Sequence, residues 1–211
     1  MIPSIVIWDW NGTVLDDLQI SLDAVNYILS NRGLPPMDKD TYYEYLDTPI
    51  IKFYQKALGT DDVDFPQISL EFNDYYRRNL HRAGLTRGIR DVIAALHEMK
   101  IPQMIISASH VSYITSALSQ LKLEEYFTKV IAAEDYVAGS KIDRAEKYMS
   151  DMKIPKKDRL VIGDTLHDYE MAKCIGARII LLSSGHEGRK KLERTGQTVL
   201  DTLNTCDILS L

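Results

Sequence analysis

An α/β fold, a doubly wound parallel sheet carrying a small all-helical cap, is predicted by three features of the chain. Short apolar, β-branched runs recur at residues 5–8, 104–106, 130–132, 160–162 and 179–182, and each reads as a buried strand. Between the later runs lie amphipathic stretches at helical spacing, so strand alternates with helix and a parallel sheet covered on both faces follows. Between the first two runs lie roughly ninety residues, against the ~10–12 that a simple crossover needs, so something is inserted there.

Taken in chain order, the first strand, Ile5 to Trp8, leads into an insert expected over residues 17–85. Asp17 is placed to cap a helix that carries Leu18, Leu22, Val25 and Leu29 on one face, and Gly33 before Pro35 and Pro36 stops it. Further helices are expected at about residues 49–58, closed by Gly59, and at about residues 66–83. The insert is rich in tyrosine, with Tyr42, Tyr43, Tyr45, Tyr54, Tyr75 and Tyr76 either packing helices or lining a pocket. Beyond it, Ile89, Val92, Ile93 and Leu96, then Ile114, Leu118 and Leu121, mark two core helices. The catalytic core is thus expected at residues 1–16 and 86–211, joined to the cap through Leu15, Asp16 and Asp17 and through the segment from Gly84 to Gly88.

Composition narrows the class. Of the 211 residues, 45% are hydrophobic and 26% charged, within the range of ordinary globular proteins. A formal net charge of −5 gives no field to attract nucleic acid or an anionic membrane surface. The first apolar run is broken at Asp9 and has no basic stretch before it, which argues against a signal peptide or spanning helix and for the cytoplasm. Cys174 and Cys206 are too few and too isolated for a disulfide framework, and they read as inert thiols in a reducing compartment, behaving as small buried hydrophobes.

Two segments carry the chemistry. In Asp9-Trp10-Asn11-Gly12-Thr13 a carboxylate sits at the carboxyl end of a buried strand, ahead of a glycine turn, where open parallel sheets bind ligands. In Gly163-Asp164-Thr165-Leu166-His167-Asp168 a second strand runs into glycine and two carboxylates. If the strand order reverses between these strands, both loops face one crevice. Crowded carboxylates favour a hard divalent cation, and oxygen-only ligands with substrate phosphate favour Mg²⁺.

In order and spacing these segments resemble the haloacid dehalogenase superfamily, over almost the whole chain. The resemblance implies a Rossmann-like core with a helical cap, closest in layout to phosphoglycolate phosphatase-like and sugar-phosphate phosphatase-like members, and a small phosphorylated metabolite as substrate. It implies Asp9 as nucleophile, and Mg²⁺ held by Asp9, the Asn11 backbone carbonyl and Asp164, with Asp168 contacting the metal through water or orienting its shell. Ser107 and Lys141 match the hydroxyl and the lysine that stabilise the transferring phosphoryl group, with Ala108, Gly12 and Thr13 completing the phosphate cradle. Monomer and dimer both remain open.

One position departs from that pattern. Most phosphatases of the superfamily have an aspartate two residues after the nucleophile, acting as acid to the leaving group and base to water; here it is Asn11. An amide cannot shuttle a proton, and such groups contribute roughly 10²–10⁴-fold, so slow turnover is expected and Asn11→Asp should raise it. Two alternatives follow: a phospholigand-binding protein without hydrolysis, and cleavage of carbon–halogen or carbon–phosphorus bonds. His110, His167 and His186 are candidates to replace the acid. The arginines at 77, 78, 82, 87 and 90 either grip an anionic substrate tail or form a solvated face.

Overall fold

The computed structural model describes residues 2–134 and 141–210. Strand β1 (Ile5–Trp8) is followed by the two-residue strand β2 (Leu15–Asp16) and then by helices α1 (Leu18–Ser30), α2 (Lys39–Tyr45), α3 (Ile51–Leu58) and α4 (Phe65–Asn79). The chain returns through β3 (Gly84–Leu85) and alternates: α5 (Ile89–Glu98), β4 (Gln103–His110), α6 (Val111–Leu121), β5 (Lys129–Ala133), α7 (Lys141–Ser150), β6 (Arg159–Gly163), α8 (Leu166–Ile175), β7 (Arg178–Leu182). It ends with α9 (Arg189–Glu193), β8 (Thr198–Leu200) and α10 (Thr205–Leu209).

Six strands form one sheet in the order β5-β4-β1-β6-β7-β8, and every pairing is parallel. All five expected strands are present, and β8 extends the edge beside β7. Strand β1 lies between β4 and β6, so the chain builds one half of the sheet through β5 and then crosses back to build the other. The sheet therefore reverses direction beside β1, and loops leaving β1 and β6 open into the same crevice.

The alternation of side chains along each strand divides the core into two layers. Val6, Trp8, Ile105, Ile162 and Ile180 pack with Ile89, Val92, Leu96, Ile114 and Leu118 on one face. Ile5, Ile7, Met104, Ile106, Val161 and Leu181 pack with Ala145, Met149, Met171 and Ala172 on the other. The helices between β2 and β3 have an apolar cluster of their own, built from Leu18, Leu22, Val25, Ile28, Leu29, Tyr42, Phe53, Tyr54 and Ile68. Where the chain leaves and re-enters the sheet, β2 and β3 pair antiparallel, Leu15 opposite Leu85 and Asp16 opposite Gly84.

One expectation is corrected here, and one helix was not foreseen. Asp17 occupies the N-cap position of α1, yet its side chain makes no capping bond and is directed elsewhere. Helix α2, which the sequence did not reveal, is capped by Asp38 accepting from the Thr41 amide at 2.8 Å and presents only one buried residue, Tyr42.

Candidate active site

Asp9 follows β1 and Asp164 follows β6, so adjacent parallel strands bring them together, and Asp168 joins them from the first turn of α8. One carboxylate oxygen from each lies within 4.8 Å of the others, and all three residues are buried. Buried anions at that spacing need compensating charge. Part of it comes from Lys141 at the start of α7, whose ammonium donates to Asp9 and, at 2.5 Å, to Asp168 Oδ1. Burial pushes the Asp9 carboxyl up to about 6, with Lys141 pulling down and Asp168 pushing up. Burial likewise raises Asp164 well above the carboxylate range, opposed by His186. For Asp168, burial also acts upward, but Lys141 and the hydrogen bonds from Thr165 together outweigh it and the group ends low. An oxygen-only cluster with more acid than the one lysine can neutralise fits a divalent cation.

The loop around this cluster is held by specific donors. Asp164 accepts from the Thr13 hydroxyl at 2.7 Å and from the His186 backbone amide at 2.7 Å. Asp168 Oδ2 accepts from the Thr165 hydroxyl at 2.7 Å and from two loop amides, those of Asp164 and Thr165, in a capping box. Glu187 accepts from the Leu166 amide at 2.6 Å and so fixes the opening of α8. Gly12 and Thr13, expected in the phosphate cradle, have other partners. The Gly12 amide donates to Asp17 and the Thr13 hydroxyl to Asp164, and neither residue lines the cavity over the site.

That cavity measures about 930 Å³ and is lined by Asp9, Asn11, Ser107, Ala108, Lys141 and Asp168 at its floor. Ser107 is buried within β4, in the stretch between Ile106 and His110 where the register with β5 shifts, and its carbonyl accepts from Arg144 at 3.2 Å. Residues 138–140, which precede Lys141 in its motif, lie outside the described residues. The walls are shared by the inserted helices, through Tyr42, Leu46 and Ile50, and by the sheet side, through His167, Tyr169, Lys173, His186 and Lys191. Three hydrogen bonds dock α2 and its following loop there: Tyr43 hydroxyl to Gly185 carbonyl at 3.0 Å, Tyr42 hydroxyl with His186 Nδ1 at 3.1 Å, and Lys191 ammonium to Leu46 carbonyl at 2.6 Å.

Of the three histidines, His186 belongs most closely to the site. It lies 3.2 Å from the Asp17 carboxylate, and although burial favours its neutral form, the charge of Asp17 raises it to about 9. His110 instead caps α6 by accepting from the Ser112 amide, and burial lowers the pKa of His167 at the cavity wall. None of the five arginines lines the cavity; Arg77 and Arg78 pair with Asp74, and Arg82 with Asp23. The tyrosines divide: Tyr54 packs within the inserted helices, Tyr75 packs against Tyr27 with the rings tilted, and Tyr76 reaches the site. Asp17, Ser109, Gly185 and Glu187 are the site residues sequence reasoning missed, and Tyr76 was named only among tyrosines that either pack helices or line a pocket. Only Asp17 had a sequence signal, an acid just beyond the first motif, and it reads equally well as a helix cap.

A parallel sheet with an acidic cluster and a buried lysine at its switch point defines a Rossmann-like hydrolase scaffold. The model of haloacid dehalogenase-like hydrolases matches residues 6–182, and the chain belongs to that family. A phosphoglycolate phosphatase of Pseudomonas fluorescens is 26% identical over 96% of this chain and 78% of that protein. The tyrosine-protein kinase PtkA of Mycobacterium bovis is 23% identical over 98% of this chain and 71% of that protein. Among solved structures, a predicted phosphatase from Clostridium acetobutylicum superposes with a TM-score of 0.83 at 18% identity, covering all of both chains. Among the described residues no helix is long and apolar enough to cross a membrane.

Proposed function

We propose that the protein is a Mg²⁺-dependent phosphomonoester hydrolase acting on a small phosphorylated metabolite, with residues 17–85 serving as a helical cap over a core of residues 1–16 and 86–211. The observation that carries this reading is the convergence of Asp9, Lys141, Ser107 and Asp168 at the floor of one cavity, with buried Asp164 clustered against Asp9 and Asp168. Similarity to phosphoglycolate phosphatases over nearly the full chain supports it.

Asp9, Asp164 and the backbone carbonyl of Asn11 would hold Mg²⁺, with Asp168 fixing the loop beside it; when bound, the cation offsets the charge between nucleophile and phosphate. A carboxylate oxygen of Asp9 attacks phosphorus in line, and the bond from phosphorus to the leaving oxygen breaks. Lys141 and the Ser107 hydroxyl stabilise the equatorial oxygens where charge develops. The leaving alkoxide takes its proton from water, because the Asn11 amide has none to give. Water then attacks phosphorus, releasing inorganic phosphate and restoring Asp9.

A second reading, phospholigand binding without hydrolysis, is favoured by the hydrogen bonds that fix Asn11. Hydrolysis of a panel of phosphomonoesters, p-nitrophenyl phosphate included, with Mg²⁺ and with EDTA, separates the two. Turnover that requires both the metal and Asp9, tested with Asp9→Asn, supports the hydrolase. Folded protein that binds Mg²⁺ and phosphate but turns nothing over supports the second reading.

A further inference from the structure

The carboxylate of Asp17 is 1% exposed and lines no part of the cavity, yet four donors from different parts of the chain converge on it. Its Oδ1 accepts from the Gly12 amide at 2.7 Å and faces His186 Nε2 at 3.2 Å. Its Oδ2 accepts from the Asn11 amide nitrogen at 2.8 Å and from the Tyr76 hydroxyl at 2.7 Å. The Asn11 nitrogen also donates to the Tyr76 oxygen at 2.7 Å, while the Asn11 carbonyl oxygen accepts from the Ser109 hydroxyl. Every polar atom of the Asn11 side chain is therefore committed, and its amide cannot flip without setting an oxygen against Asp17.

We propose that Asp17 is a positioning residue that holds Asn11, and that its presence is the physical reason position 11 carries an amide and not an acid. The consequence for position 11 rests on the hydrolase reading; the pairing itself does not. A carboxylate at position 11 would lie about 2.8 Å from a second buried carboxylate, with the single Tyr76 proton between them. An amide at position 17 beside the native Asn11 would oppose two donors. Exchanging the two residues avoids both conflicts. At position 17 the amide oxygen keeps the Gly12 and His186 contacts, and the amide nitrogen donates to position 11 and to the Tyr76 oxygen. The Tyr76 proton turns to the new carboxylate at position 11, whose other oxygen still accepts from Ser109. Every contact of the native arrangement has a counterpart, with the acid moved toward the cavity.

The test is a four-protein cycle of wild type, Asn11→Asp, Asp17→Asn and the double exchange, read by thermal denaturation and by kcat and KM on p-nitrophenyl phosphate. Each single substitution should lower Tm by several degrees and kcat by about tenfold, with KM changed less, and the double exchange should recover most of both losses. Losses that add in the double exchange overturn the proposal, as does a gain in kcat with unchanged Tm from Asn11→Asp alone. If the double exchange does not fold, Tyr76→Phe decides. It should lower Tm in the wild type and have much less effect beside Asp17→Asn, and equal effects in the two backgrounds overturn the pairing. A coupled pattern in Tm with no turnover by wild type sinks the hydrolase reading and leaves the pairing standing.

Discussion

The ammonium group of Lys141 lies 2.5 Å from Asp168 and also donates to Asp9, so one buried cation holds together residues from three separate crossovers of the sheet. Lys141 is 4% exposed, and the ion pairs raise its pKa against the pull of burial. Removing it leaves three buried carboxylates facing one another, and breaking a buried pair costs about 3–5 kcal/mol. Lys141→Met should therefore lower Tm, and added Mg²⁺ should restore part of the loss while turnover stays at least about a hundredfold down. An unchanged Tm that ignores Mg²⁺ would show that the cluster is neutralised by protons alone.

Gly185 gives a sharper probe of the proposed metal site, because it touches Asp164 without contributing a functional group. A Cβ there would stand 2.2 Å from Asp164 Oδ2 and 2.4 Å from its Cβ. Asp164 is fully buried and cannot withdraw without breaking its bonds to Thr13 and His186. Gly185→Ala should abolish stabilisation by Mg²⁺ and most turnover. Gly84→Ala, where a Cβ meets nothing within 4 Å, is the control that should change neither. Equal Mg²⁺ responses in the two variants would place the cation away from Asp164.

The parts of this arrangement legible in the sequence were those written in local pattern. The buried strands before Asp9 and Asp164 stood out because their apolar runs give way abruptly to an acid, directly in β1 and after Gly163 in β6. Helix α2 was missed because Lys39–Tyr45 buries only Tyr42, so no apolar stripe betrays it. Strand β8 was missed because it is three residues long and none of them is fully buried. Gly185 could not be found at all, because its role is a contact with Asp164 about twenty residues away; Tyr76 stood only among the tyrosines that either pack helices or line a pocket, and its bond to Asp17, 59 residues away, is fixed only once the inserted helices dock. On the pairing proposed above, Asp17 would also reverse the expected effect of Asn11→Asp, since it supplies a second carboxylate that the local motif did not reveal.

Docking of the inserted helices makes its own prediction. Lys191 joins the Leu46 carbonyl at 2.6 Å and sits 3.8 Å from Glu187, so it ties the loop after α2 to the segment that opens α8. Its side chain is 27% exposed, and losing the contact should cost stability only slightly. Lys191→Ala should raise KM by about two- to tenfold with kcat nearly unchanged, because it loosens the wall of the cavity and leaves the acidic cluster intact. A fall in kcat at constant KM would mean that Lys191 acts on the reacting group.

The two cysteines, expected to be buried, are both exposed, and helix geometry explains why. On α8 the buried positions are Asp168, Met171, Ala172 and Ile175, which follow the helical repeat and leave Cys174 on the outer face. On α10 only Ile208 is buried, and Cys206, two positions earlier, points to the opposite side. Neither cysteine lines the cavity. Native protein should therefore react with a chromogenic disulfide at both thiols without denaturant, and turnover should survive the modification. Two slow thiols would mean that their helices pack against a further surface, such as a second copy of the chain, and loss of turnover at full modification would tie α8 to the motion of the site.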